Sequence, residues 1–341
     1  MAQLPTYKDL EEKRAFFSNR ENANFIINTK AELDKWFDDF KEEEEEESNI
    51  DATAFIYRGM KEAKHKLLTS SQRLWISTEM EQWTNKTYID FVSDLVNHAK
   101  VDPLIKKVFD LYNYSETDRE FPILSLLQHY GAPTPLMDWT YNENVAFFFA
   151  IDGLCNKEEQ QNNIDNYFSI YRINKRIYKN ELLNIIDFIP QERYPEIKAF
   201  KDFGDKNENP NSNGIFYISD FEQKRNLTGK TKSLDRLIIR TQKPLTSTYN
   251  HNIIPQAGLF IFNPFSKKTL EDIFNPNLQK GGWNLRLTPF DCFNIHKVLS
   301  EYLKRKIDIR FQITKSFIYP DLNNEAKRIK EKTLNDLISY Q

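Results

Sequence analysis

"ATAFIYRG", Ala52–Gly59, is the stretch on which the fold turns. It is a short apolar run closed by a glycine, the pattern of a buried strand that ends in a turn. Its surroundings read as helix. Before it, Phe16, Phe25, Ile27, Leu33, Trp36, Phe37 and Phe40 are spaced as an apolar stripe. After it, residues 70–112 carry Trp83, Ile89, Phe91, Leu95 and Val96 at helical intervals.

Further outward the pattern changes again. Pro122 opens a helix, "ILSLLQHY", that Gly131 ends as the residue just past the C-cap, and Pro133 and Pro135 forbid its continuation. Beyond Ile151 come short β-rich runs: "YFSIYRI" (Tyr167–Ile173), "GIFYIS" (Gly214–Ser219), "RLIIRT" (Arg236–Thr241), "GLFIF" (Gly258–Phe262) and "FDCFNI" (Phe290–Ile295). The helical patterns "HKVLSEYLKRK" and "NNEAKRIKEKTLNDLISY" close the chain. Helices with one strand among them, then mostly strands, then helices, predict an α+β fold. Its helical N-terminal part packs on a mixed or antiparallel β core. The run of glutamates from Glu42 to Glu47 reads as a solvated segment. The division that follows is a helical extension over 1–50, a main domain over 51–332 and a tail over 333–341.

Composition narrows the function classes. With 341 residues, 40% hydrophobic and 14% aromatic, the chain has material for a large core. A net charge of −3 gives no global drive towards nucleic acid or anionic membrane. Two cysteines, Cys155 and Cys292, with no metal-ligand spacing argue for a reducing compartment. No apolar stretch reaches the ~18 residues of a membrane span, and no signal-peptide pattern opens the chain, so a cytoplasmic location with no membrane partner is expected. The glycine patterns of dinucleotide and P-loop folds are missing, as are HExxH, paired CxxC and GxSxG. No metal site is expected.

Candidate chemistry gathers in two places. Arg58 ends an apolar strand just before Gly59, where a guanidinium fork suits bidentate binding of phosphate or carboxylate; pairing with an acid at a sheet edge is the structural alternative. In "QHYGAPTPLMDWTYNE", Gln128 and His129 lie in a last helical turn, and Asp138, Trp139 and Thr140 follow a proline-braced loop. Trp139 offers a flat face for a planar ring. Thr140 and Glu143 also have the form of a capping box for the helix "NVAFFFAI", which explains both without catalysis.

"FIYRGMKEAKHKLLTSSQR", "LLQHYGAPTPLMDWTYNENVAFFFA", "IIPQAGLFIF" and the tail "FNIHKVLSEYLKRKIDIRFQITKSFIYPDLNNEAKRIK" together resemble the FRG domain, over roughly residues 50–332. Pro135 stands where that family has an arginine, and Asn142–Asn144 where it has Asn-Pro. The resemblance implies a bacterial or phage setting, with phage defence or a toxin role as context. The layout is also similar, more weakly, to ADP-ribosyltransferases. That likeness implies NAD as a substrate, with Arg58 on its pyrophosphate, an aromatic stacking the nicotinamide and Thr140 supporting the ribose. Gln256 stands where those enzymes carry a glutamate, so Glu79, Glu81, Glu143 or Asp138 would have to supply the carboxylate.

Three functions stay open on the sequence. The first is a nucleotide-processing enzyme with Arg58, His129, Asp138, Thr140 and Gln256 as catalytic residues, and Tyr57, Gly59, Gln128, Tyr130 and Trp139 binding a nucleotide or NAD-like ligand. The second is a non-catalytic nucleotide or nucleic-acid binding module. Its nucleic-acid partner would meet residues 297–315, where Lys297, Lys304, Arg305, Lys306, Arg310 and Lys315 surround Phe311. The third is an interaction domain whose motifs are core and caps.

Overall fold

The computed structural model describes residues 2–18, 23–38, 55–111, 120–154, 163–181, 215–217, 256–274, 288–319 and 327–330, save 176, 179 and 328. The acidic run 42–47, the boundary at 51, Cys155, the strand expected at 236–241 and most of the helix expected from 323 lie outside them.

The fold is α+β. Among the described residues one seven-stranded sheet runs in the order β1-β7-β4-β2-β3-β6-β5. The strands are β1 (Ile26–Ile27), β2 (Phe55–Met60), β3 (Leu136–Thr140), β4 (Tyr167–Asn174), β5 (Ile215–Tyr217), β6 (Gly258–Phe262) and β7 (Phe290–His296). β1 pairs parallel with β7 and every other neighbouring pair is antiparallel, so the sheet is mixed.

The strand that opened the sequence reading, β2, lies at the centre of the sheet and runs on through Gly59 to Met60 instead of turning there. Both faces of the sheet are covered. Ile56, Tyr171, Phe290 and Cys292 join one apolar cluster, and Tyr57, Ile170, Phe293 and Ile295 join the other. Successive side chains of a strand point to opposite faces, so a sheet buried on both sides favours apolar residues at most positions. β2 and β4 are accordingly mostly apolar, and Arg58 in β2 and Ser169 and Arg172 in β4 stand out as polar exceptions.

The helices are α1 (Leu10–Arg14), α2 (30–38), α3 (Ser70–Ser77), α4 (Met80–Trp83), α5 (Tyr88–Val101), α6 (Pro103–Leu111), α7 (Glu120–His129), α8 (Glu143–Ile151), α9 (Leu270–Ile273), α10 (Ser300–Phe311) and α11 (Lys315–Ile318). Reciprocal capping boxes start α3 (Thr69 with Gln72) and α5 (Thr87 with Asp90). α7 ends as expected. Gly131 has φ +83, its N–H donates to the Gln128 carbonyl (3.1 Å), and that of Ala132 donates to Leu127 (2.9 Å), the Schellman pattern.

Two parts of the sequence reading are corrected. Residues 26–27, expected in a helical stripe, form β1 at the sheet edge. Leu136–Thr140, expected in the loop region before a helix, is strand β3, registered residue for residue on β6 from Leu136↔Phe262 to Thr140↔Gly258. Its apolar Leu136–Met137 start hid the alternation that Asp138 and Trp139 then show.

The N-terminal segment is tied to this sheet by a buried cation. Lys13 on α1 donates to the Ala63 carbonyl (2.8 Å), Ser169 Oγ (2.7 Å) and Asn294 Oδ1 (2.8 Å). Burial lowers its pKa, and all three acceptors are needed to offset the lost hydration. Among the described residues no helix is long and apolar enough to cross a membrane.

Candidate functional site

A cavity of about 530 Å³ opens where β2, β3 and β6 meet the end of α7, α8 and Tyr319, just past α11. Of the ten residues singled out in the sequence, it gathers nine: Tyr57, Arg58, Gly59, Gln128, His129, Asp138, Trp139, Thr140 and Gln256. Tyr130 is left out; its ring is 74% exposed and stands edge-on to His129 at 4.8 Å. The wall also contains residues the sequence reading passed over: Lys61, His65, Arg73, Phe149 and Tyr319.

The central strand fixes Arg58. Its backbone is registered on Tyr171 of β4, and its Nη1 donates to the carbonyl of Asp138. Its Nε is buried and has no hydrogen-bond partner among the described residues. Burial pulls the guanidinium pKa down to about 10; Asp138 opposes that shift and Arg73 adds to it. Arg58 therefore stays charged at neutral pH, while one donor lacks an acceptor. Arg73, delivered by the capped helix α3, is also depressed by burial, and Asp138 is its compensating charge. His65 is shifted down by burial first and then by Lys64 and Arg73, which keeps it neutral at neutral pH.

Of the four carboxylates considered for the site, the structure brings one to the cavity. Glu79 accepts from Gln82 on α4, Glu81 pairs with Lys267, and Glu143 accepts from Asn144 Nδ2 (2.6 Å). Among the described residues Asp138 is the only carboxylate in a wall that also holds Arg58, Arg73 and Lys61. Its Oδ2 accepts from Gln128 Nε2 at 3.1 Å. The site is therefore an excess of fixed positive charge in a part-buried cleft, which suits an anionic ligand.

Thr140 is not the N-cap of α8. The strand carries it into register with Tyr57 and Gly258, and the cap passes to Asn142, whose side chain accepts from Asn144 N (3.0 Å). Replacing Asn142 with alanine is thus expected to cost about 1 kcal/mol in a urea melt, the usual worth of an N-cap side chain. Thr140 instead donates to the carbonyl of Gln256 (2.6 Å) and accepts from Asn142 N (2.9 Å). This clamps the turn before β6, where Ala257 sits at φ +46, a left-handed conformation costly for a residue with a Cβ.

Gln256 in turn donates from Nε2 to the carbonyl of Ile318 (3.1 Å), which holds α11 and the following Tyr319 over the cavity. The Tyr319 ring packs edge-on against Phe148 (6.1 Å) and Phe149 (6.4 Å). Trp139 reaches the wall but is only 3% exposed, its ring committed to the core, so Phe149 and Tyr319 supply the aromatic surface a ligand would meet. Gln256 acts on the site as a strut for that surface.

Residues 53–161 match the family model of the FRG domain. The chain carries an FRG domain. No curated protein and no solved structure matches the chain. The FRG domain contributes β2, α3, the end of α7, β3 and α8, and with them Arg58, Arg73, Gln128, His129, Asp138, Thr140 and Phe149. Gln256 and Tyr319 come from beyond the matched residues and close the same cavity.

The basic segment 297–315 is placed elsewhere. Lys297 donates to Glu62 Oε2 (2.8 Å) and to the Asp165 carbonyl (2.7 Å), and Lys306 pairs with Asp34 (2.5 Å) beneath the Phe37 ring. Leu303 and Ile307 bury the inner face of α10, leaving Lys304 and Arg305 in solvent. That is the charge pattern of an amphipathic surface helix.

Proposed function

We propose that the cavity binds a nucleotide through its phosphates and processes NAD there, in the manner of an ADP-ribosyl transfer. The observation that carries this reading is the Nε–H of Arg58, unpartnered among the described residues, in a cavity that Arg73, Lys61, Phe149 and Tyr319 also line. Two guanidiniums match a pyrophosphate with paired, charge-assisted hydrogen bonds, and the aromatic wall suits a stacked heterocycle. Asp138 is the carboxylate in reach of the ligand. As the bond between the ribose C1′ and the nicotinamide nitrogen breaks, nicotinamide leaves with the bonding pair. Positive charge then grows on the ribose, and the Asp138 carboxylate stabilises it electrostatically. Water or an acceptor nucleophile closes the reaction at C1′ and gives up its proton. An effector that consumes NAD in this way would harm the cell that contains it, which fits the phage-defence or toxin setting implied by the resemblance.

The test is direct. Full-length protein incubated with NAD is expected to release nicotinamide, followed by liquid chromatography. NAD is expected to bind with an affinity that falls as salt rises, because the contacts are to phosphate. Saturable binding with no nicotinamide release would leave the non-catalytic nucleotide-binding module as the correct function. No heat of binding with NAD or ADP-ribose would reject both.

A further inference from the structure

Asp138 lies within Coulombic reach of both guanidiniums, yet its carboxylate is turned to Gln128. The Gln128 amide has its orientation imposed from outside the cavity. Thr134, fully buried, donates from Oγ1 to Gln128 Oε1 at 2.5 Å. The Thr134 hydroxyl oxygen accepts the N–H of Leu136 (3.3 Å), so its proton goes to the glutamine. Ser70 Oγ, which accepts the N–H of Thr134 (3.0 Å), stands 3.3 Å from the same Oε1. The Ser70 hydroxyl also lies 3.2 Å from the Thr134 carbonyl, so the firm donor to Oε1 is Thr134. With its oxygen held there, the amide presents Nε2 to Asp138; a flipped amide would set oxygen against carboxylate. Pro133 and Pro135 hold Thr134 on either side, since each fixes its own φ and a residue before proline is confined to extended backbone. Neither Ser70 nor Thr134 is part of the cavity wall.

We infer that Gln128, locked by Thr134, is a positioning residue that holds the Asp138 carboxylate off Arg58 and Arg73 and so keeps the anion site open. Without it, Asp138 swings onto the guanidiniums and competes with the ligand's phosphates. The inference rests on the anion-binding reading above. It also assigns a task to the Pro-Thr-Pro sequence that packing alone does not require.

ADP-ribose binding to the full chain, measured by calorimetry, tests it without any need for turnover. Gln128→Met and Thr134→Val are each expected to weaken ADP-ribose about tenfold, and Thr134→Ser to bind like the unaltered protein. The deciding variant is Gln128→Met combined with Asp138→Asn, in which binding is expected to return, because the competing charge is gone. A defect that Asp138→Asn does not relieve, or no defect in Gln128→Met, overturns the inference. If the unaltered protein does not bind ADP-ribose, the nucleotide reading fails, and the side-chain amide resonances of Gln128 decide the relay alone. They are expected to shift in both Thr134→Val and Asp138→Asn, and unshifted resonances would sink it.

Discussion

Replacing Gly59 with alanine is expected to destabilise the protein by about 3 kcal/mol or more, the upper end of the range for overpacked cores. A Cβ on Gly59 would fall on the carbonyl oxygen of Ala146 and lie 2.7 Å from the amide nitrogen of Ala150. Both obstacles are helix backbone, so no rotamer change relieves them. Backbone conformation contributes nothing to the cost, because Gly59 is ordinary extended strand, paired with Ile170 of β4. The requirement is purely for close approach: β2 and α8 touch backbone to backbone, and the small Ala146 and Ala150 face the glycine. Gly131 provides the contrast. It has φ +83 and open space where a Cβ would go, so Gly131→Ala should cost only about 1 kcal/mol of left-handed strain. Urea melts of the two variants check the pair, and a Gly59→Ala loss below that of Gly131→Ala would show that α8 is free to move away. The same step would disturb the cavity, because β2 and α8 form two of its walls.

The local contrast between glycines bears on what the sequence disclosed. Gly131 was legible because a helix end needs a left-handed residue within a few positions, and the signal is local. Gly59 reads equally well as a turn; that it lies against α8, some 90 residues later, is a tertiary fact. Four strands downstream of Ile151 fell where their β-rich runs predicted; β4, β6 and β7 are buried at nearly every position, and such a run has little alternative. β3 was missed because "LMDWT" follows two prolines and its partner, β6, is over 100 residues away. Thr140 was misassigned for the same reason: strand pairing took it before the helix could. Arg73 had a usable signal. Thr69 and Gln72 form a capping box, and the next residue of that helix's first turn is Arg73, a cation set on a fixed frame. Tyr319 had none, since its place depends on the hydrogen bond from Gln256 to Ile318.

The largest functional effect is expected at Arg58. Losing a bidentate guanidinium–phosphate contact removes about 3 kcal/mol of binding, on the order of a hundredfold in Kd for NAD or ADP-ribose. Arg58→Lys should rescue little, because an ammonium has no planar fork to match two phosphate oxygens. What separates a ligand-binding arginine from a structural one is the accompanying change in stability. Burial depresses the Arg58 guanidinium to about 10, and its Nε has no acceptor among the described residues, so the ligand-free fold holds this charge at a cost. Between that value and the ordinary arginine range the unfolded chain binds more protons than the native state. Wild-type stability should therefore gain from this group as pH rises above about 10, a gain missing from Arg58→Met. At neutral pH, Arg58→Met is expected to melt at or above the wild-type midpoint while failing to bind ADP-ribose. A structural arginine predicts the reverse: Arg58→Met would unfold early, because the Asp138 carbonyl loses its donor and β2 loses a link to β3. Thermal melts and calorimetry on one preparation distinguish the two, and lower stability with intact ADP-ribose binding would remove Arg58 from the site.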